Sequence, residues 1–225
     1  MVHGAYWGVG QSTLTRGLAG AIPEADVLWE DELSQPAFFT RLEFAAVAER
    51  FHRHNAEPSA GVGHPPPEML EGAYRALVRT LMAHGRTGLM GWSVMDLAED
   101  LDWARSDEGD LGRHSAAVRA IFEPLDPVLV YLDGDLEAAF ERAVAQRGRE
   151  WFSHGQPVDE SQWQQLAQKM KDEMSVAAGR IWRAFSAGGW FPAVQVDGTR
   201  LGVDQVFGAV ADQLRRRGIE LTGLV

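Results

Sequence analysis

Gly4-Ala5-Tyr6-Trp7-Gly8-Val9-Gly10-Gln11-Ser12-Thr13-Leu14 follows a short run, Met1 to Gly4, and opens an apolar helical pattern that continues to about Ala21. The order is strand, glycine turn, helix. In such a turn successive backbone N–H groups and the positive end of the following helix converge on one spot, which favours an anion such as a phosphate. Glycine at these positions lets the backbone curl and lets a ligand approach it closely.

Beyond this stretch, short apolar runs recur at Asp26 to Glu30, Thr87 to Trp92, Val128 to Leu132 and Ala193 to Val196. Longer segments at helical spacing separate them, with apolar faces such as Met69, Tyr74, Leu77, Val78 and Leu81, or Val203, Val206, Phe207, Val210 and Leu214. This alternation predicts an α/β class: a three-layer α/β/α fold with a five-stranded parallel sheet covered by helices on both faces. From about Glu160 to Ser186, residues Trp163, Leu166, Met170, Met174, Ala177, Ile181 and Phe185 recur three or four apart, the pattern of one long amphipathic helix. Glu57 to Pro67, ending in Pro65-Pro66-Pro67, and the acidic, glycine-bearing Ser106 to Gly112 read as loops. Composition does not shift across either loop, so residues 1–225 are expected to form a single domain.

The 225 residues are 45% hydrophobic, enough for a sizeable core and too apolar for a disordered or fibrous chain. Thirty-two acidic residues against 21 basic ones leave a net charge of -11, which repels nucleic-acid phosphates and anionic membrane surfaces. With no cysteine, disulfides, thiolate metal sites and thiol catalysis are excluded. No run of about 18 apolar residues occurs, and Met1-Val2-His3-Gly4 lacks the features of a signal peptide, so the expected location is the cytoplasm. Lys169 and Lys171 are the only lysines, so anion clamping is expected to fall to arginine or backbone amides.

Against the phosphate-loop pattern G-x-x-x-x-G-K-[ST], residues 5 to 13 place Gly10 at the second glycine, Ser12 at the magnesium-ligating hydroxyl, and Thr13 after it. Ala5, beside Gly4, stands at the first glycine, and Gln11 stands at the lysine that reaches the β- and γ-phosphates. Two later segments join this one. Val130-Tyr131-Leu132-Asp133-Gly134-Asp135 is followed by Glu137, Arg142, Arg147-Gly148-Arg149 and Glu150, and further on comes Val196-Asp197-Gly198-Thr199-Arg200.

With these three elements, nearly the whole chain resembles the P-loop nucleoside and nucleotide kinase superfamily, in particular small-molecule kinases of the thymidylate-kinase or deoxynucleoside-kinase type. The resemblance implies an ATP- and Mg2+-dependent phosphotransferase acting on a hydroxyl of a small, nucleoside-like or antibiotic-like metabolite. It implies a nucleotide site at Gly8, Gly10, Gln11, Ser12, Thr13, Arg142, Asp197 and Gly198, with Ser12 on the metal. A lid around residues 142–155 would bring Arg147 and Arg149 to the transferred phosphoryl group, because its charge must be met by donors that arrive on closure. Glu30, or else Asp31, at the end of the second strand resembles the carboxylate that orients or deprotonates the acceptor hydroxyl. The partner implied is a small-molecule substrate, with no nucleic acid and no membrane, and with a homodimer as the candidate assembly.

Gly91 stands where the family has a third-strand carboxylate; Asp96, Glu99, Asp100 and Asp102 downstream are candidate substitutes or, on a helix, an ordinary solvated face. The loss of that carboxylate and of the loop lysine keeps a second reading open, a nucleotide or metabolite binder without phosphoryl transfer. Trp7, Trp29, Trp92 and Trp151 lie near proposed strand or loop ends, where they would line an aromatic acceptor pocket or serve as ordinary packing. The long loop at Gly61 and Gly63 is a candidate cover for the acceptor. His52, His54 and His64 have poor metal-ligand spacing, since positions two apart on a helix point different ways.

Overall fold

The structure is a computed structural model that describes residues 1–28, 67–85, 87–91, 108–190 and 192–222. Its elements run β1 (Val2–Gly4), α1 (Gln11–Ala21), β2 (Asp26–Leu28), α2 (Pro67–His84), β3 (Gly88–Met90) and α3 (Glu108–Phe122), which ends in a 3-10 turn at Glu123–Leu125. Then come β4 (Val130–Asp133), α4 (Leu136–Arg147), the short α5 (Arg149–Phe152), α6 (Glu160–Ala187), β5 (Val194–Asp197) and α7 (Val203–Arg216).

The strands fall at the five expected places, but they do not form the expected five-stranded sheet of a three-layer fold. Among the described residues there are two separate parallel ladders, β1-β4-β5 and β2-β3. Val2 lies opposite Val130, Val130 opposite Val194, and Val27 opposite Leu89. The reason lies at the free edge of β1. Met1 O and Ala5 N are bonded to β4, so by the alternation of a parallel ladder the carbonyl of Val2 points to the other side. There it accepts from the Gln11 side-chain amide at 3.0 Å, and the same Nε2 donates to Gly91 O at 3.2 Å. A side chain, not a ladder, bridges the two sheets here. Helices dominate the rest: α6 alone has 28 residues, while each strand has three or four.

A second correction concerns Ser106 to Gly112. From Glu108 onward this is helix α3 and not loop. Asp110 suits a helix start, where a carboxylate meets the positive end of the dipole. Gly112 marks a close contact, since a Cβ there would come 3.2 Å from the Ala187 Cβ of α6.

Among the described residues the apolar faces gather into three cores. Tyr74 and Leu77 of α2, Val118 and Phe122 of α3, and Ile181 and Phe185 of α6 form one. Leu14 and Leu18 of α1 and Val206, Val210 and Leu214 of α7 pack with Val2, Leu132, Val194 and Val196 in another. The third joins Phe140 of α4 and Phe152 of α5 to Trp163 and Met174 of α6. The long helix starts at a capping box: Asp159 Oδ1 accepts from Gln162 N at 2.8 Å and Gln162 Oε1 accepts from Asp159 N at 2.9 Å. Among the described residues no helix is long and apolar enough to cross a membrane.

Candidate functional site

The glycine turn between β1 and α1 is shaped by three glycines with different duties. Gly8 has φ +87, and a Cβ there would lie 2.1 Å from Ala139 O on α4. Gly10 has φ +100 as the residue before α1, and a Cβ there would meet nothing within 4 Å among the described residues, which leave this side of the turn open. Gly198, in the loop after β5, allows that loop to touch the turn, since a Cβ there would come 2.2 Å from Val9 O. Two glycines permit close packing from behind, and the third faces open space.

Arg142 of α4 fastens the arrangement. Its Nη1 donates to Gly198 O at 2.9 Å and to Gly8 O at 3.3 Å, and its Nη2 donates to Thr199 O at 3.3 Å. The structure therefore brings Gly8, Arg142, Asp197 and Gly198 together, but the guanidinium of Arg142 holds backbone carbonyls. It acts here as a brace of the turn. Gln11 likewise turns its amide back to Val2 and Gly91.

Asp197 orders the neighbouring loop. Its Oδ1 accepts from Thr199 Oγ1 at 2.7 Å and from the amides of Thr199 and Arg200, both at 2.9 Å. Partial burial pushes its carboxyl upward, but these three hydrogen bonds and the Arg200 charge prevail, so it titrates below its usual value. Thr199 Oγ1 also accepts from Asp135 N at 2.9 Å, tying the loop to the start of α4. The Asp-Gly-Thr sequence of a side-chain-capped turn was the available sign of this role for Thr199.

Tyr6 was not singled out by any motif. Burial raises its phenol pKa, and the charges of Asp133 and Asp135 raise it further, so at neutral pH it keeps its proton. Burial, Asp133 and Tyr6 push Tyr131 the same way. Only tertiary contact brings residue 6 near 133 and 135.

The other predicted residues divide. Ser12 and Thr13 are exposed in the first turn of α1, which carries no acidic residue and no side-chain cap. The first-turn amides of a helix have no intrahelical acceptor, so such a start suits an anion. Arg149 donates to Glu160 Oε2 at 2.7 Å and lies over the Trp163 ring at 5.0 Å. The guanidinium of Arg147 lies 4.3 Å from the centre of the Trp151 ring, and Trp151 in turn meets Trp7 of the turn at 5.7 Å. Glu30, Asp31, Trp29, Trp92, the carboxylates from Asp96 to Asp102, the three histidines at 52, 54 and 64, and the loop at Gly61 and Gly63 lie outside the described residues.

These residues fit a phosphate chain better than a bare metal ion. The turn offers an uncapped helix start and an open face at Gly10. Among the described residues no group of three or more His, Cys, Asp or Glu side chains is arranged to hold a metal. Magnesium is commonly held by phosphate oxygens, water and one or two protein ligands. Ser12 is the residue here that would contribute. No protein-family model, curated protein or solved structure matches this chain.

Proposed function

We propose that this chain is a phosphotransferase that takes a nucleoside triphosphate at the turn of residues 5–13 and passes a phosphoryl group to a hydroxyl of a small metabolite. The observation that carries the reading is the turn itself. Gly8 against α4, Gly198 against Val9 and Arg142 across three carbonyls hold its backbone from behind while Gly10 keeps its front open. Such preorganisation is what phosphate recognition by backbone amides requires.

In the reaction the acceptor hydroxyl oxygen bonds to the γ-phosphorus as the bond to the β–γ bridging oxygen breaks. The nucleoside diphosphate leaves, and the hydroxyl proton passes to a carboxylate, Glu30 or Asp31 in this proposal. Magnesium, when bound with the nucleotide, would neutralise charge on the phosphate oxygens, and Ser12 is the residue that would hold it. Arg147, the last residue of α4, and Arg149, once it leaves Glu160, are the residues assigned to supply the positive charge that Gln11 lacks.

A second reading, binding without transfer, has its own support. The Gln11 amide is committed to Val2 and Gly91, and a missing electrostatic donor costs on the order of 10²-fold or more in rate. Calorimetric titration of ATP, ADP and GTP with and without magnesium, followed by a phosphate-transfer screen over hydroxylated acceptors, separates the two. Micromolar binding that tightens with magnesium, weakens in Ser12→Ala and is accompanied by transfer supports the first reading. The same binding without transfer to any acceptor supports the second, and absence of binding to all three nucleotides overturns both.

A further inference from the structure

Two of the large hydrophobic side chains that remain exposed stand together at the turn. Trp7 is 41% and Trp151 48% exposed, although one belongs to the glycine turn and the other to α5. Their ring centres are 5.7 Å apart and their planes cross at 87°. Both are backed by Phe152, at 5.8 Å from Trp7 and 4.8 Å from Trp151. Phe152 is itself buried and packs on Phe140 and Trp163. The two indoles thus form a right-angled corner on a fixed base. Leaving a pair of indoles in water forgoes the burial that normally places tryptophan in cores and interfaces.

We infer that the corner formed by Trp7 and Trp151 is a binding subsite for a flat aromatic ring carrying an anionic group. A ring stacked on one indole presents its edge to the other, the two arrangements that aromatic pairs favour. Arg147, 4.3 Å from the Trp151 ring centre, places a guanidinium at the same corner. Its charge selects a ring with a carboxylate or phosphate over a neutral one. Arg149 does not share this duty, because it is paired with Glu160 at 2.7 Å. The inference names the ligand class of the proposed phosphate-transfer site and in that sense rests on it, yet the corner binds a ring whether or not phosphates occupy the turn.

Fluorescence titration tests it with two probes, an aromatic nucleoside 5′-monophosphate and magnesium tripolyphosphate, which has no ring. Base stacking on an aromatic side chain contributes enough that its removal weakens binding by about tenfold or more. Trp7→Leu and Trp151→Leu are expected to lose that factor for the nucleotide, Trp151→Leu leaves tripolyphosphate unchanged, and Trp151→Phe keeps most of the nucleotide affinity. Arg147→Ala weakens the monophosphate more than the parent nucleoside. Equal nucleotide affinity in the wild type and both leucine variants overturns the subsite even if tripolyphosphate binds, in which case the phosphate turn stands alone. Tryptophan-dependent nucleotide binding without tripolyphosphate binding supports the subsite and counts against the phosphotransferase. Absence of binding for both probes overturns both. Because the two indoles are about half exposed, unchanged circular dichroism of the leucine variants checks that they fold.

Discussion

Gly8 is the residue at which the turn is most sensitive. Its φ of +87, and the 2.1 Å that would separate a Cβ from Ala139 O, leave no relaxed place for a side chain. Gly8→Ala is expected to lower the unfolding free energy by about 1–3 kcal/mol, as strained backbone does, read as a lower urea midpoint at unchanged slope. His114 makes a different prediction. It is buried in α3, with Nδ1 3.7 Å from Glu71 Oε1 and, among the described residues, no hydrogen bond at either ring nitrogen. Burial holds its pKa below 6.5, outweighing the opposing pull of Glu71 and Glu68. The unfolded chain therefore takes up a proton more readily than the folded one, so stability is full above pH 6.5 and falls as pH drops through that value towards the folded pKa. His114→Gln is expected to lose less stability than the wild type between about pH 7 and about pH 5; equal losses would show that His114 does not drive the pH response.

Among the elements, α6 carries the clearest local signature. Its apolar spacing from Trp163 to Phe185 is visible in sequence, and Trp163, Met174, Ile181 and Phe185 are buried as that spacing requires. Asp159 closes its first turn by a reciprocal pair of bonds with Gln162. Asp159→Ala is expected to cost about 1 kcal/mol, and Asp159→Asn, which keeps the oxygen, much less; thermal or urea unfolding distinguishes them. α3 is the counter-example. Gly109 and Gly112 resemble loop residues when read alone, yet Gly112 is where α3 approaches Ala187. A glycine that marks a turn and one that marks a helix contact look the same until the partner helix is known.

At the scale of the whole molecule, Gln11 decides how the two parallel ladders meet. Its amide spans Val2 O and Gly91 O, the second of them 80 positions further along the chain than Gln11 itself. Gln11→Ala removes both bonds and leaves two carbonyls to find other donors, an expected loss of about 1–3 kcal/mol. Gln11→Glu is expected to be worse at neutral pH, because a carboxylate facing two carbonyls repels both and donates to neither. Chemical denaturation of the three proteins at pH 7 gives the order directly, and a glutamate variant as stable as the wild type would show that the bridge carries no weight. The same residue aligns with the lysine of the phosphate-loop pattern, so a substitution that looks like a catalytic deficit in sequence has a structural task in the fold.

Local chemistry was enough for several features. Apolar periodicity located the strands and α6, and the glycines around residues 8 and 10 marked a turn between a strand and a helix, because short-range sterics and spacing carry that information. The partition into two ladders, the bracing role of Arg142, the loop contact at Gly198, the Tyr6 environment and the Trp7–Trp151 corner depend on residues distant in sequence. Arg142 read as a phosphate ligand because its spacing from the turn is silent about which acceptors it reaches; three backbone carbonyls took the guanidinium. Hydrogen-bond partners and ring contacts are chosen by packing in three dimensions, and only the folded chain decides them.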